Sequence, residues 1–231
     1  MCFDAILPGG REIRVRILST VDNILIGECI GVPEQVPAKQ VPPIALFQGL
    51  PKGTKMDLIV RQAAEGGVSI VAPFQSEYST VHLKEEPSAG GRQKRWERIV
   101  KEARQQSGST IETKIMPCRG FDALLDYWKS LKEKYTRPLG VLFHQETLET
   151  TPLAKGGFHN YLSMYPDFVA IAVGPEGGFS SGEASLFMAA GFRPLLMGNT
   201  ILRTETAALY GTAAIRIIML ESESWILKQT G

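Results

Sequence analysis

The sequence predicts an α/β protein built on a mainly parallel sheet with flanking helices, preceded by a small β unit. Three observations carry that prediction. Short apolar runs alternate with helix-length segments from residue 44 onward, two of those runs open into glycine-rich turns, and a proline-dense stretch separates this pattern from a hairpin-like start. Strands that alternate with helices pair in parallel, because each helix carries the chain back across the sheet.

At the start, residues 11–18 (REIRVRIL) and 23–30 (NILIGECI) run alternating or apolar around Asp22-Asn23, which predicts a β-hairpin. Residues 31–43 (GVPEQVPAKQVPP) hold four prolines. Proline lacks the N–H that a helix or a central strand needs, so the division falls here, with residues 1–40 in one unit and 41–231 in the other. Beyond it, IALF (44–47) and VSIVAP (68–73) read as strands around a helical run at 53–65. Helices follow around 91–106 and 120–134, then the strand LGVLF (139–143). The strand FVAIAV (168–173) precedes a helix near 181–190 that stops at Gly191, and PLLM (194–197) leads to a last helix starting near Thr204. In sheets of this kind ligands bind beyond the carboxyl ends of the strands.

Composition narrows the function class. With 44% hydrophobic and 21% charged residues in 231, the chain reads as a soluble globular protein with a real core. No stretch reaches the roughly 18 apolar residues of a membrane span. The opening MCFDAILPGGREIRVRI lacks the basic and apolar regions of a signal peptide. Cys2, Cys29 and Cys118 show no Cys-x-x-Cys spacing, so neither a disulfide framework nor a zinc site is expected, and the location expected is cytoplasmic. His82 and His159 have no ligand-spaced partners, and no metal site is expected. Net charge is +1, yet residues 91–106 (GRQKRWERIVKEARQQ) carry six basic residues against two acidic ones. That segment reads first as a solvated helix face and second as a nucleic-acid patch.

The turn GPEGGFSSGE, residues 174–183, leaves the strand 168–173 through closely spaced glycines. Glycine there permits positive φ and close approach to a ligand, and Ser180 with Glu183 has capping-box spacing. A plain tight turn and a ligand-binding loop both remain open on this motif alone. A phosphate cradle is disfavoured, since residues 174–183 include Glu176 and no Lys or Arg. One strand further on, LLMGNTILRTETAALYG (195–211) repeats the design, with Thr204 or Thr206 as helix cap and Glu205 in the first turn.

GPEGGFSSGE together with LMGNTILRTETA closely resembles the paired C-terminal motifs of the RsmE family, SPOUT-class methyltransferases acting on N3 of a uracil in small-subunit ribosomal RNA. KMDLIVRQAAEGGVSIVAP and RWERIVKEARQQS fall in family order upstream, so that the resemblance covers roughly residues 44–220. It implies a SPOUT-type trefoil-knotted α/β domain, S-adenosylmethionine as cofactor, and a homodimer that acts on 16S ribosomal RNA or the 30S subunit. The cofactor would be held by Leu142, Phe143 and His144, by Gly174, Pro175, Glu176, Gly177 and Gly178, and by Leu196, Met197, Gly198, Ile201 and Leu202. Arg203 is the candidate for gripping RNA phosphate or for charge building up on a uracil carbonyl. Glu205 is either a base or the helix-start carboxylate.

Against the family pattern, residues 1–40 make a short, truncated counterpart of its PUA-like β domain, Gly66 and Tyr78 replace a leucine and an arginine, and Gln105-Gln106-Ser107-Gly108-Ser109 loses an acid and an arginine. These departures lie on the expected substrate side. RNA grip is then expected from Arg11, Arg14 and Arg16 and from Arg95 and Arg98 of the basic helix. A different RNA site, or a noncatalytic RNA- or cofactor-binding module of the same fold, stay as alternatives.

Overall fold

Two sheets form, one from each side of the proline-dense stretch. The computed structural model describes residues 2–7, 12–22, 24–31, 41–80, 89–144, 157–196 and 200–227. Strands β1 (Cys2–Ile6), β2 (Glu12–Val21) and β3 (Ile24–Gly31) pair antiparallel in the order β1-β2-β3. The expected hairpin is β2-β3, turning at Asp22 with φ 48°, a conformation an aspartate tolerates better than most residues. The first strand is an addition to that expectation; five residues without clear alternation gave it no signal.

The second sheet follows the predicted alternation. Its elements are β4 (Ile44–Gly49), α1 (Lys55–Glu65), β5 (Ile70–Gln75), α2 (Ala89–Ser107), β6 (Lys114–Ile115), β7 (Arg119–Gly120), α3 (Phe121–Lys134), β8 (Pro138–Phe143), α4 (Gly157–Leu162), β9 (Phe168–Val173), α5 (Ser181–Ala189), β10 (Phe192–Leu195) and α6 (Thr204–Leu227). The strand order is β10-β8-β9-β4-β5-β6, with β7 also on β5, and each of these pairings is parallel.

Because side chains alternate along a strand, each strand feeds two cores. Ile44 and Leu46 of β4, Val141 and Phe143 of β8, and Val169 and Ile171 of β9 face α1, α2 and α6. Ala45, Phe47, Leu142, Phe168 and Ala170 face the other way, onto Trp128 of α3 and Phe187 of α5. Strands buried on both faces read as unbroken apolar runs, which is why FVAIAV shows no alternation.

From β10, beside β8, the chain must return past β8 to start α6, whose Thr204 hydrogen-bonds Gly174 at the end of β9. The trefoil knot that the resemblance implies depends on connections that include residues 145–156 and 197–199, which lie outside the described residues. No helix among the described residues is long and apolar enough to cross a membrane.

Candidate active site at the strand ends

The carboxyl ends of β8, β9 and β10 and the start of α6 enclose a cavity of about 460 Å³, a size that suits a small-molecule ligand. Phe143 and His144 enter from β8, the turn 174–178 from β9, and Leu195 and Leu196 from β10. Ile201, Leu202 and Arg203 close the side before α6, while Lys55 and Tyr78 stand at the remaining edge. The residues proposed for cofactor binding from three separate motifs thus converge, with particular exceptions. Leu142 is fully buried in the opposite core, its strand position turning it away from the cavity. Met197 and Gly198 lie outside the described residues.

The β9 turn is held by its own backbone. Gly178 N donates to the Pro175 oxygen at 2.9 Å, and Gly178 has φ +71°, the left-handed region. A Cβ on Gly174 would stand 2.8 Å from the Gly178 carbonyl carbon, so the turn closes on itself only with glycine there. Immediately after it, Ser180 and Glu183 form the capping box. Glu183 is buried and does more than cap: it accepts from Ser76 Oγ at 3.0 Å and from Glu77 N at 2.9 Å, tying α5 to the turn after β5.

The charge reading of this turn needs correction. The sequence places no cation between residues 174 and 183, but α1 brings Lys55 Nζ to 2.8 Å from Glu176, and Lys52 N also donates to that carboxylate at 3.1 Å. Glu176 is therefore a clamp between the turn and α1 rather than an open negative charge. Burial pushes its carboxyl up, but the Lys55 hydrogen bond and backbone N–H groups outweigh that and hold it below the ordinary 4.5. Lys55 is raised in turn, first by its hydrogen bond to Glu176. Glu205, on α6, lies 3.9 Å from the same ammonium and is not among the residues lining the cavity.

Thr204 does not cap α6 through a helical N–H. Its hydroxyl donates to the Gly174 oxygen at 2.6 Å, and the first bond of the helix runs from Ala207 N to the Arg203 oxygen. Sequence reading missed Gln48 and Lys55. A lone glutamine in the apolar strand IALFQG was a usable signal, because buried amides are kept where they have partners; a lysine facing a turn 121 residues away gave none.

The arginines proposed for RNA lie elsewhere. Arg16 pairs with Glu28 at 3.1 Å and Arg98 with Glu102 at 3.7 Å, both on exposed surface. Arg95 is tied to Asp57 of α1, which also accepts from Trp96 Nε1 at 3.2 Å, so this arginine fastens α2 to α1. Arg14 lies on β2 opposite Asp4. Arg11 falls outside the described residues. Among the described residues no three His, Cys, Asp or Glu side chains gather as a metal site would need.

Comparison with known proteins matches residues 38–216 to the RNA methyltransferase domain family. The chain is 30% identical over 195 residues to ribosomal RNA small subunit methyltransferase E of Bacillus subtilis, covering 84% of this chain and 71% of that protein. It is 32% identical over 177 residues to the protein of the same name from Synechocystis, covering 77% of this chain and 54% of the relative. Among solved structures, ribosomal RNA small subunit methyltransferase E from Neisseria gonorrhoeae, bound to S-adenosylmethionine, superimposes with a TM-score of 0.71 at 24% identity, over 94% of this chain and 83% of that one. The parallel sheet with its flanking helices is accordingly the fold of that methyltransferase. By the family match over most of its length and by this degree of identity, the chain belongs to the RsmE family of ribosomal RNA methyltransferases.

Proposed function

We propose that this protein transfers the methyl group of S-adenosylmethionine to N3 of a uracil in the 16S ribosomal RNA of the 30S subunit. The observation that carries the reading is the meeting of the two glycine motifs, far apart in sequence, on one 460 Å³ cavity at the strand ends. The cavity suits the cofactor: Phe143, Leu195, Leu196, Ile201 and Leu202 offer apolar walls, and the turn 174–178 offers backbone groups with no room for a side chain on Gly174. When bound there, S-adenosylmethionine supplies an electrophilic methyl group.

The chain's own residues then supply placement. Arg203 is exposed at the cavity edge and nothing among the described residues pairs with its guanidinium, so it is available to an RNA phosphate or to the charge developing on a uracil carbonyl as the N3 proton leaves. Glu205 belongs to the helix start, where dipole and Lys55 both favour a carboxylate; it stands behind the lip rather than on it. Tyr78 packs on Gly177 at the substrate edge, where a flat ring can border a base withdrawn from its stack. Residues 1–40 act as a PUA-like RNA-gripping unit together with the basic face of α2, residues 41–231 as the methyltransferase domain, and two copies form the working enzyme in the cytoplasm.

Titration calorimetry tests the cofactor assignment. S-adenosylmethionine binds with one site per chain and ATP does not; saturable ATP binding without S-adenosylmethionine binding overturns it.

A further inference from the structure

Gln48, next to last in β4, is the polar residue of an apolar strand, and it is wholly buried. A buried amide costs stability unless its hydrogen bonds are met. Its Nε2 donates to the Gly49 oxygen and to Thr204 Oγ1, each at 2.9 Å, with the Gly174 oxygen at 3.4 Å. Thr204 passes the chain of bonds on, its hydroxyl donating to the same Gly174 oxygen at 2.6 Å. The amide's orientation follows from these neighbours, because the reverse setting would press Oε1 against two carbonyl oxygens. Oε1 itself has no partner among the described residues, so the donor side alone holds the group.

These residues come from three elements far apart in sequence: Gln48 is next to last in β4, Gly174 opens the turn after β9, and Thr204 begins α6. Thr204 also stands between Arg203, on the cavity, and Glu205, near Lys55. A hydroxyl shared by the turn and the helix start therefore fixes how far Arg203 stands from the cofactor side of the cavity. A buried bond of this kind has one geometry, unlike a surface ion pair that wanders.

The geometry points to Gln48 and Thr204 as positioning residues for methyl transfer, locking the start of α6, and with it Arg203, onto the turn at Gly174. The inference rests on the methyl-transfer reading above. Thr204→Val keeps the side chain's shape and removes the hydroxyl, Thr204→Ser keeps the hydroxyl, and Gln48→Leu removes the amide. For each full-length variant the melting temperature, S-adenosylmethionine affinity and single-turnover transfer to small-subunit RNA from a strain lacking the gene are measured. Thr204→Val and Gln48→Leu should transfer about 10- to 100-fold more slowly at saturating cofactor and RNA, with cofactor affinity within about threefold of the parent, since small misplacements cost rate before binding. Thr204→Ser should recover most of the rate. Equal rates for the valine and serine variants overturn the inference, as does a rate that falls only in step with melting temperature and cofactor affinity, the signature of a scaffold role. A parent protein that binds cofactor yet methylates no RNA removes the underlying reading, and the inference with it, before any variant is compared.

Discussion

Arg203 and Glu176 carry the sharpest consequences at the scale of single residues. Arg203 meets the cavity from the substrate edge and holds no bond in the turn 174–178, so Arg203→Ala should reduce methyl transfer by about 100-fold or more while cofactor affinity by calorimetry stays within a few-fold. Loss of cofactor binding in that variant would place the arginine on the wrong side of the site. Glu176 predicts an acid dependence. Its carboxyl is held below the ordinary 4.5, so its contribution to the turn is complete above that pH and fades as pH falls through the lowered value. Cofactor affinity followed in acid should therefore hold down to about pH 4.5 and drop beneath it, and Glu176→Gln should lower the affinity and flatten that drop. An unchanged profile in the glutamine variant would show that the clamp to Lys55 does not shape the cavity. The motif residues around Gly174 and Arg203 were legible in sequence because they sit in two dense runs. Lys55 was not, since what makes it matter is a fold that brings α1 under those runs; Gln48 showed only as a lone amide in an apolar strand, and its partners depend on the fold.

At the scale of elements, the turn and the helix behind it form one unit. Gly178→Ala forces a side chain into the left-handed region and should cost about 1–2 kcal/mol in urea unfolding, with cofactor affinity falling as the turn relaxes. Glu183→Ala should cost more, about 2–4 kcal/mol, because it strands Ser76 Oγ, Glu77 N and Ser180 N together. A loss no larger than a simple cap would mean that the Ser76–Glu77 turn finds other partners. The capping box itself was readable from Ser-x-x-Glu spacing, whereas the second duty of Glu183 depends on β5 ending beside β9's turn. Long elements announced themselves through apolar runs or helical spacing, as β9 and α3 did. The two-residue strands β6 and β7 and the six-residue α4 are too short to repeat a pattern, so their formation depends on the sheet and helices around them.

For the molecule as a whole, the alternation of strands and helices gave the parallel sheet, and the position of the two glycine turns at neighbouring strand ends gave the site. The crossing of the chain could not be read that way, since periodicity reports which residues are buried and never how a segment threads. Leu209, Tyr210 and Ile217 leave apolar surface exposed along α6, next to the helix start that borders the cavity. That surface supports the proposed homodimer, and sedimentation equilibrium should give twice the mass of one chain, with Ile217→Glu shifting it toward a single chain. A single-chain mass for the parent would remove the dimer from the account.

The central claim is that the paired turns hold a methyl donor beside an RNA base. Small subunits from a bacterial strain lacking the gene, incubated with the protein and isotopically labelled S-adenosylmethionine, should yield label in one modified nucleoside on digestion and mass spectrometry. The expected product is 3-methyluridine from near the 3′ end of the 16S RNA. Label in a different nucleoside, or saturable cofactor binding with no label in RNA, would contradict it.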